Sequence, residues 1–198
     1  MLLDRGKADR AGENLSRISE LTQRMGRIIQ NLRAFARQES IAKAPVELGS
    51  VLQTALDLTE GHRREAGVEV VYELSDDPIW VHGGEVRLSQ VFVNLITNAV
   101  DAMAAQSQKS LRIHVEAAEK VTVTFHDSGP GIEVPDKVFD PFYTTKQVGE
   151  TGGMGLGLSI SYGIVQSLGG QIRGSNHPDG GAVFSVTLDP APQEAAAA

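Results

Sequence analysis

The chain has 198 residues, of which 41% are hydrophobic and 22% are charged, with no cysteine and a formal net charge of −7. This composition is typical of a globular protein, and it excludes a disulfide scaffold, a Cys-ligated zinc site and thiol catalysis. No run approaches the roughly 20 apolar residues that a membrane-spanning helix needs, and no signal-peptide pattern opens the chain. The length is that of one domain, with or without an appendage.

Charge is distributed unevenly along the chain. Residues 1–43 carry a net charge of +4, whereas residues 44–198 carry −11. The acidic body argues against nucleic-acid binding, because phosphate backbones are bound by basic surfaces. The basic first segment is more typical of a solvated helix face than of a surface for an acidic partner or a membrane.

Residues 8–38 contain no proline and repeat apolar side chains at spacings of three and four. The repeat consists of Ile18, Leu21, Met25, Ile28, Leu32 and Phe35. Such a seam predicts a long helix that packs lengthwise on helices of another chain or another segment. Docking of this helix on its own globular domain is the alternative. Ala44-Pro45 ends the region, because the residue before proline is pushed out of helical geometry.

The chain is therefore predicted to divide into a helical segment (1–43), a globular domain (44–190) and a disordered tail (191–198). Within the domain, helices are predicted over 48–66, 85–105 and 156–168, and strands over 68–74, 79–82, 111–117, 120–127, 171–176 and 181–188. This order predicts an α/β (α+β) two-layer sandwich, with a mixed, mostly antiparallel sheet, helices on one face and one long helix before it.

Four polar residues share one face of the helix predicted over 85–105. Gln90, Asn94, Asn98 and Asp101 follow one another at offsets of four, four and three, roughly one helical turn apart. Amides on a mostly buried helix need partners, since an unpaired buried amide costs about 1–3 kcal/mol. A hydrated Mg²⁺ with nucleotide phosphates would supply them, and an internal hydrogen-bond network would do so equally well.

A second motif, Asp127-Ser128-Gly129-Pro130-Gly131-Ile132, ends a predicted strand. Its glycines permit positive φ angles and close backbone approach to a flat ligand. Its carboxylate has the chemistry to accept a hydrogen bond from an exocyclic amine such as that of adenine. Taken alone, the pattern is more typical of a simple turn.

A third motif runs from Phe139 to Lys146 and places aromatic residues between glycine-rich flanks. Such aromatics suit the anchors of a mobile lid, and Lys146 has the length to reach a phosphate as a point charge. A small satellite core under a long loop is an equally good interpretation of the same residues.

The fourth motif, Gly152-Gly153-Met154-Gly155-Leu156-Gly157-Leu158-Ser159, opens a predicted helix. Backbone N–H groups at a helix start attract anions, and glycines allow phosphates to come close. The spacing matches neither the Walker pattern nor the dinucleotide fingerprint. By itself a glycine-rich loop is weak evidence for a nucleotide.

These four motifs, in this order, resemble the ATP-binding domain shared by sensor histidine kinases, gyrase and MutL. The resemblance covers residues 45–189 and includes Gly169-Gly170 and the run Gly180–Phe184. In that family the corresponding motifs are the N, G1, F, G2 and G3 boxes. The family resemblance implies ATP and Mg²⁺ as cofactors.

Within this family the chain is similar to the histidine kinases, whose N box has asparagine at the position of Asn94. Gyrase-like ATPases have a glutamate there as general base, and an asparagine cannot take a proton from water. The resemblance therefore implies phosphoryl transfer to a histidine rather than hydrolysis. Residues 8–38 resemble the second helix of the kinase dimerisation hairpin. Residues 142–159 are similar to nitrogen and C4-dicarboxylate sensors, and residues 161–181 lean toward the dicarboxylate type.

The resemblance also implies roles for individual residues. Asn98 would bind Mg²⁺, while Asn94 and Lys146 would act at the phosphates as catalytic residues. Asp127 would accept from the adenine amine, and Phe139 and Phe142 would anchor the lid. The complete predicted nucleotide site comprises Asn94, Asn98, Asp101, Asp127, Gly129, Gly131, Ile132, Phe142, Thr144, Thr145, Lys146, Gly153, Met154, Gly155, Leu156, Gly157 and Leu158.

The phosphoacceptor box of these kinases, a histidine followed by an acidic residue on a helix, is not visible in the sequence. The five histidines are interpreted as structural or surface groups: His62, His82, His114, His126 and His177. We therefore expect a fragment of a longer cytoplasmic sensor that phosphorylates a histidine on a missing helix. Its membrane anchor would lie upstream, its partner would be a response regulator, and it would form a homodimer through the helical hairpin.

Two rival functions remain open at this point. The chain would also suit a nucleotide-binding regulatory module, such as an anti-sigma-type kinase or an adaptor, although its intact motifs argue against a degenerate pocket. A gyrase-like ATPase is the third possibility, and Asn94 disfavours it. Phosphorylation of a helix supplied in trans separates the kinase from both rivals.

Overall fold

In the computed structural model, the described residues are Asn14 and the ranges 44–73, 77–145 and 155–193. The chain forms two compact units, Met1–Gln38 and Glu39–Ala198. The first unit contains the predicted heptad helix, which lies outside the described residues except for Asn14. The predicted tail over 191–198 is described only as far as residue 193.

Three α-helices and seven strands lie within the described part of the chain. In order they are β1 (Ala44–Glu47), α1 (Leu48–Ala66), β2 (Glu69–Glu73), β3 (Trp80–Gly83), α2 (Glu85–Ala102), β4 (Ser110–Ala117), β5 (Val121–Asp127), α3 (Gly157–Ser167), β6 (Gln171–Asn176) and β7 (Ala182–Leu188). A short 3-10 turn, Pro135–Lys137, lies between β5 and α3. In the same residues, no helix is both long and apolar enough to cross a membrane.

Helix α1 begins and ends at residues 48 and 66, as the sequence predicts. The Glu47 carboxylate caps its start by accepting from the backbone N–H groups of Gly49 and Ser50, at 2.7 and 2.6 Å. Gly67 ends it in a left-handed conformation with φ of 70°. Helix α2 is shorter than predicted, because it ends at Ala102 and residues 103–105 form a turn.

Strand β1 is an element that the sequence analysis missed. It pairs antiparallel with β3 in a two-stranded ribbon, with Pro45 opposite His82. A proline removes one backbone donor, which a short ribbon tolerates better than the centre of a wide sheet. The strand is therefore compatible with the proline that the sequence analysis used as a helix terminator.

The main sheet has the strand order β2-β4-β5-β7-β6 in the described residues. Strands β2 and β4 are parallel, and the other three pairings are antiparallel. A parallel pair needs a long crossover connection, and here the connection contains β3 and α2. The predicted mixed, mostly antiparallel sheet is thus confirmed.

The sheet is packed on one face, as the alternation along β5 shows. Val121, Val123 and Phe125 are buried, whereas Thr122 and Thr124 between them are half-exposed. The ring of Phe125 meets that of Phe92 on α2, with ring centroids 5.5 Å apart. Burial of each such aromatic side chain stabilises the fold by about 1.5–3 kcal/mol.

The last residue of this buried row is Asp127 rather than an apolar side chain. The alternation places its carboxylate on the helix-covered face, where a hydrophobic residue would stabilise the fold better. A local departure of this kind from the packing pattern is typical of a functional site.

Candidate functional site

The carboxylate of Asp127 is buried, with 3% of the residue exposed, and its orientation is fixed by backbone donors. Its Oδ1 atom accepts from the N–H groups of Gly129 and Ala182, at 2.8 and 3.2 Å. Its Oδ2 atom receives no hydrogen bond from the described residues. Burial raises the pKa of this carboxyl group, while the two N–H donors and nearby His126 act in the opposite direction. The site thus presents one preorganised acceptor oxygen on a buried side chain.

The turn after Asp127 needs the glycines that the sequence analysis singled out. A Cβ atom at Gly129 would lie 2.7 Å from Oδ1 of Asp127 and 3.4 Å from the Cβ atom of Ala102. Gly131 has φ of 87°, a conformation that other residues rarely adopt. Next to it, Ile132 is fixed through its backbone N–H and C=O groups, which both bond to the side chain of Asn176.

Asn94 connects the middle of α2 to the start of α3. Its Nδ2 group donates to the hydroxyl of Ser161 at 3.0 Å. Its Oδ1 atom faces Gly157 so closely that a Cβ atom there would overlap it. Asn98, one turn further along α2, is half-buried and makes no side-chain hydrogen bond within the described residues. Its amide is therefore available to a ligand.

Asp101, which is predicted to bind the cofactor, contacts the neighbouring helix. Its Oδ1 atom lies 2.9 Å from Nε2 of His62 on α1. The two residues are 39 positions apart, so no sequence spacing indicates this pair. The pair is partly exposed, with 47% of the His62 side chain and 32% of the Asp101 side chain accessible. The fourth polar residue of this helix face, Gln90, is exposed.

The start of α3 carries backbone donors without a side-chain cap. Leu156 stands at the N-cap, and it offers no side-chain acceptor for the first turn. The N–H groups of Gly157 and Leu158 belong to the orphan donors of a helix start, and the helix dipole adds positive potential there. This end of the helix is suited to an anionic group.

Gly155, two residues before α3, contacts the segment that precedes residue 146. The N–H group of Phe142 donates to the carbonyl of Gly155 at 2.9 Å. Gly155 has φ of 67°, and a Cβ atom there would overlap the carbonyl of Tyr143. The two ends of the predicted lid are therefore in backbone contact. Lys146, Gly153 and Met154, which were predicted to hold phosphates, lie outside the described residues.

The two predicted lid anchors differ. Phe139 packs with its ring 5.6 Å from that of Tyr162 and 6.3 Å from that of Phe184. Phe142 exposes 66% of its surface and has φ of 67°, which costs about 1–2 kcal/mol for a side chain of this kind. Only the first of the two is an anchor among the described residues. Thr144 is half-buried and Thr145 is exposed.

Helix α2 joins the two parts of the site. Its last residue, Ala102, touches Gly129 beside Asp127, while Asn94 touches the start of α3. The eight residue steps from Asn94 to Ala102 span about 12 Å along the helix axis. An elongated ligand with a hydrogen-bond donor at one end and anionic groups at the other would match both ends.

A pocket of about 450 Å³ lies beside Asp127, which lines it together with Ser128 and Gly129. Its other walls come from Arg112 of β4, His126 of β5 and residues 179–181 of the turn between β6 and β7. Asn94 and Asn98 do not line this pocket. In the described residues, no three His, Asp or Glu side chains are arranged to hold a metal ion.

Comparison with known proteins identifies a family for most of the domain. Residues 83–192 match the family described as Histidine kinase-, DNA gyrase B-, and HSP90-like ATPase. The C4-dicarboxylate transport sensor protein DctB of Pseudomonas aeruginosa is 39% identical over 195 residues, which are 96% of this chain and 31% of that sensor. DctB of Rhizobium meliloti is 36% identical, over 94% of this chain and 30% of the sensor. The chain spans about a third of the length of these relatives.

Solved structures agree with the sequence relatives. The catalytic domain of histidine kinase ThkA is 30% identical, with a TM-score of 0.65, over 74% of this chain and 95% of that domain. ThkA in complex with the response regulator protein TrrA has a TM-score of 0.70 at 26% identity, over 89% of this chain and 50% of that chain. The similarity therefore extends over nearly all of a histidine kinase catalytic domain.

Proposed function

Because this chain belongs to the family of histidine kinase-, DNA gyrase B- and HSP90-like ATPases and is similar to histidine kinase catalytic domains, we propose that it is the catalytic part of a sensor histidine kinase. Its substrate is ATP, which the ATPase domain implies. The γ-phosphoryl group passes to a histidine of another segment.

The buried carboxylate of Asp127 is the observation that carries this proposal. Oδ1 is occupied by two backbone donors, so the carboxylate cannot rotate freely, and Oδ2 is left as an acceptor for a ligand. An adenine amine fits this acceptor, whereas the carbonyl at the same position of guanine would repel it. Discrimination between the two bases follows from the charge and the fixed orientation of one side chain.

The phosphate end of the site is formed by Asn94, Asn98 and the start of α3. Mg²⁺ uses few protein oxygens and keeps several waters and phosphate oxygens as ligands, so the amide oxygen of Asn98 suffices as a protein ligand. When bound, the ion neutralises charge on the transferring phosphoryl group. Asn94 and the N–H groups of α3 hold the phosphates, and Lys146 is proposed to assist them.

Asn94 favours transfer over hydrolysis. A carboxamide cannot act as a general base, and in this structure it is fixed by its hydrogen bond to Ser161 and by the close contact with Gly157. Water at this position is therefore not activated, while a nucleophile from another segment remains free to attack in line. A gyrase-like ATPase is disfavoured for the same reason.

The partners of the kinase follow from its relatives. ThkA is known in complex with a response regulator, and two relatives are named C4-dicarboxylate transport sensors. We extend the proposal to a cytoplasmic kinase that serves a C4-dicarboxylate sensor, relays its phosphoryl group to a receiver domain and dimerises through the predicted helix over 8–38.

The proposal is tested by supplying the histidine-bearing hairpin of P. aeruginosa DctB in trans, together with Mg²⁺ and labelled ATP. Acid-labile phosphate on the hairpin is the expected result. Steady hydrolysis without labelling would favour the gyrase-like ATPase, and nucleotide binding with neither reaction would favour a regulatory module. An Asn98→Ala chain serves as the control for metal-dependent transfer.

A further inference from the structure

The turn between β6 and β7 contacts both ends of the loop that presents Asp127. This segment, residues 176–181, is called the β6–β7 turn below. Just beyond it, the N–H group of Ala182 donates to Oδ1 of Asp127 at 3.2 Å. At its other end, Asn176 accepts from the N–H group of Ile132 at 2.6 Å and donates to the carbonyl of Ile132 at 2.9 Å. The loop from Asp127 to Ile132 is therefore held at its first and last residues by one hairpin.

The backbone of the β6–β7 turn packs directly against the backbone at the end of β5. Gly180 and Gly181 have φ of 100° and 84°, so both residues adopt conformations that favour glycine. A Cβ atom at Gly181 would overlap the carbonyl of Asp127. Two hydrogen bonds of 3.0 Å close the turn, from His177 N–H to Gly181 and from Gly180 N–H to His177. A shift of this turn would thus move the backbone of Asp127.

Two histidines fix the turn against β5. The rings of His126 and His177 stack with centroids 4.2 Å apart and an interplanar angle of 25°. Nε2 of His126 lies 3.1 Å from the carbonyl oxygen of Gly180, and a carbonyl only accepts, so this nitrogen carries the proton. Nδ1 of His177 accepts from the N–H group of Asp179 at 3.2 Å, which ties the ring to the backbone of the turn.

We propose that Asn176 and the stacked pair His126 and His177 are positioning residues for nucleotide recognition. They act through the β6–β7 turn, which sets the position of the Asp127 carboxylate and hence the affinity and base selectivity of the site. This inference rests on the proposed function. None of the three side chains lies among the residues proposed to touch ATP.

The test is a calorimetric titration with ADP of the full chain and its variants. Asn176→Ala removes both bonds to Ile132 and is expected to weaken ADP binding roughly tenfold, with Asn176→Ser in between. Ser175→Ala is the matched control, because Ser175 is exposed on the same strand and makes no side-chain bond within the described residues. Its affinity should be unchanged.

A second set of variants separates positioning from folding. His177→Asn offers an amide oxygen where Nδ1 accepts from the N–H group of Asp179, so it should keep the affinity for ADP. His126→Phe keeps a ring for the stack but loses the bond to Gly180, and it should bind ADP several-fold more weakly. If Asn176→Ala fails to fold, these two variants decide the question.

Unchanged ADP affinity in both Asn176→Ala and His126→Phe, with loss of binding in Asp127→Asn, would overturn the positioning role alone. Unchanged affinity in Asp127→Asn as well would instead overturn the proposed nucleotide site. A large loss of ADP affinity in His177→Asn would show that an acceptor at Nδ1 is not what His177 supplies, and would remove His177 from the proposal.

Discussion

The two parts of the proposed site, one beside the C-terminal end of α2 and one beside its middle, hold their functional groups in different ways. Near Ala102, the Asp127 carboxylate is fixed by two backbone donors and by a loop bonded to Asn176. Near the middle of the helix, Asn94 has one side-chain hydrogen bond, and Asn98 has none within the described residues. In the proposed site, the end that would bind the base is thus fixed without a ligand, while the end that would bind the phosphates would be completed by ligand and metal.

This contrast has a physical reason. A base is recognised by one hydrogen bond to a fixed atom, and a misplaced acceptor loses that bond. Phosphates and Mg²⁺ are bound by several weaker contacts and by charge, which tolerate small displacements. Rigidity is therefore needed at Asp127 more than at Asn98.

The largest effect on stability should come from adding a methyl group, by a Gly→Ala substitution, in one of the two parts of the site. Gly181→Ala forces a Cβ atom onto the carbonyl of Asp127 at a positive φ angle, and we expect a loss of about 2–4 kcal/mol in unfolding free energy. Gly157→Ala pushes only the side chain of Asn94, so it should fold almost normally but bind ATP less tightly. Urea denaturation and calorimetry measure both, and equal stability losses would contradict the contrast.

Asp127→Asn should weaken ATP binding by about 1.5–3 kcal/mol, the value of a hydrogen bond to a charged group. The same change should raise the Tm of the ligand-free chain by about 2–4 °C, because it removes a buried charge.

The size of this stability effect depends on pH. Burial raises the pKa of Asp127 in the folded state. The contribution of this carboxyl group to the free energy of unfolding is therefore fully present at low pH and is lost as the pH rises through that pKa. The Tm advantage of Asp127→Asn should therefore grow from about pH 4 to about pH 7. An advantage that shrinks over this range would show that the hydrogen bonds to Asp127 outweigh its burial.

Asn98→Ala tests the other end of the site. We expect the ATP affinity measured without Mg²⁺ to change little. The gain in affinity that Mg²⁺ gives should fall roughly tenfold, because the ion loses one protein ligand. Titrations with and without the ion measure this difference. An equal loss under both conditions would mean that Asn98 contacts the nucleotide itself.

His62→Ala should have the smallest effect. The pair with Asp101 is partly exposed, with 47% and 32% of the two side chains accessible, so about 0.2–1 kcal/mol of stability is at stake. ATP affinity should not change. A clear loss of affinity in this variant would return Asp101 to the nucleotide site.

Local patterns predicted most of the domain. The apolar stripe and its flanking signals predicted both ends of α1. Alternation along Val121–Phe125 identified the buried face of the sheet. The glycines at 129 and 131 were recognised because their backbone requirements are local. Each of these features depends on residues within a few positions of one another.

Contacts between residues that lie far apart along the chain could not be predicted from the sequence. His62 meets Asp101 across 39 positions, and Asn176 meets Ile132 across 44 positions, so no spacing rule connects them. Strand β1 was missed because it is four residues long and contains Pro45, and its pairing with β3 exists only in the folded chain. Tertiary packing decides such features, which local propensity does not.

The most direct measurement is a calorimetric titration of the chain with ATP and with GTP, each with and without Mg²⁺. A carboxylate acceptor at Asp127 requires that ATP binds at least about tenfold more tightly than GTP and that this ratio persists without the metal, because the base-reading end does not depend on it. Equal affinities for the two nucleotides, or a preference that disappears when Mg²⁺ is removed, would contradict the assignment of base recognition to Asp127.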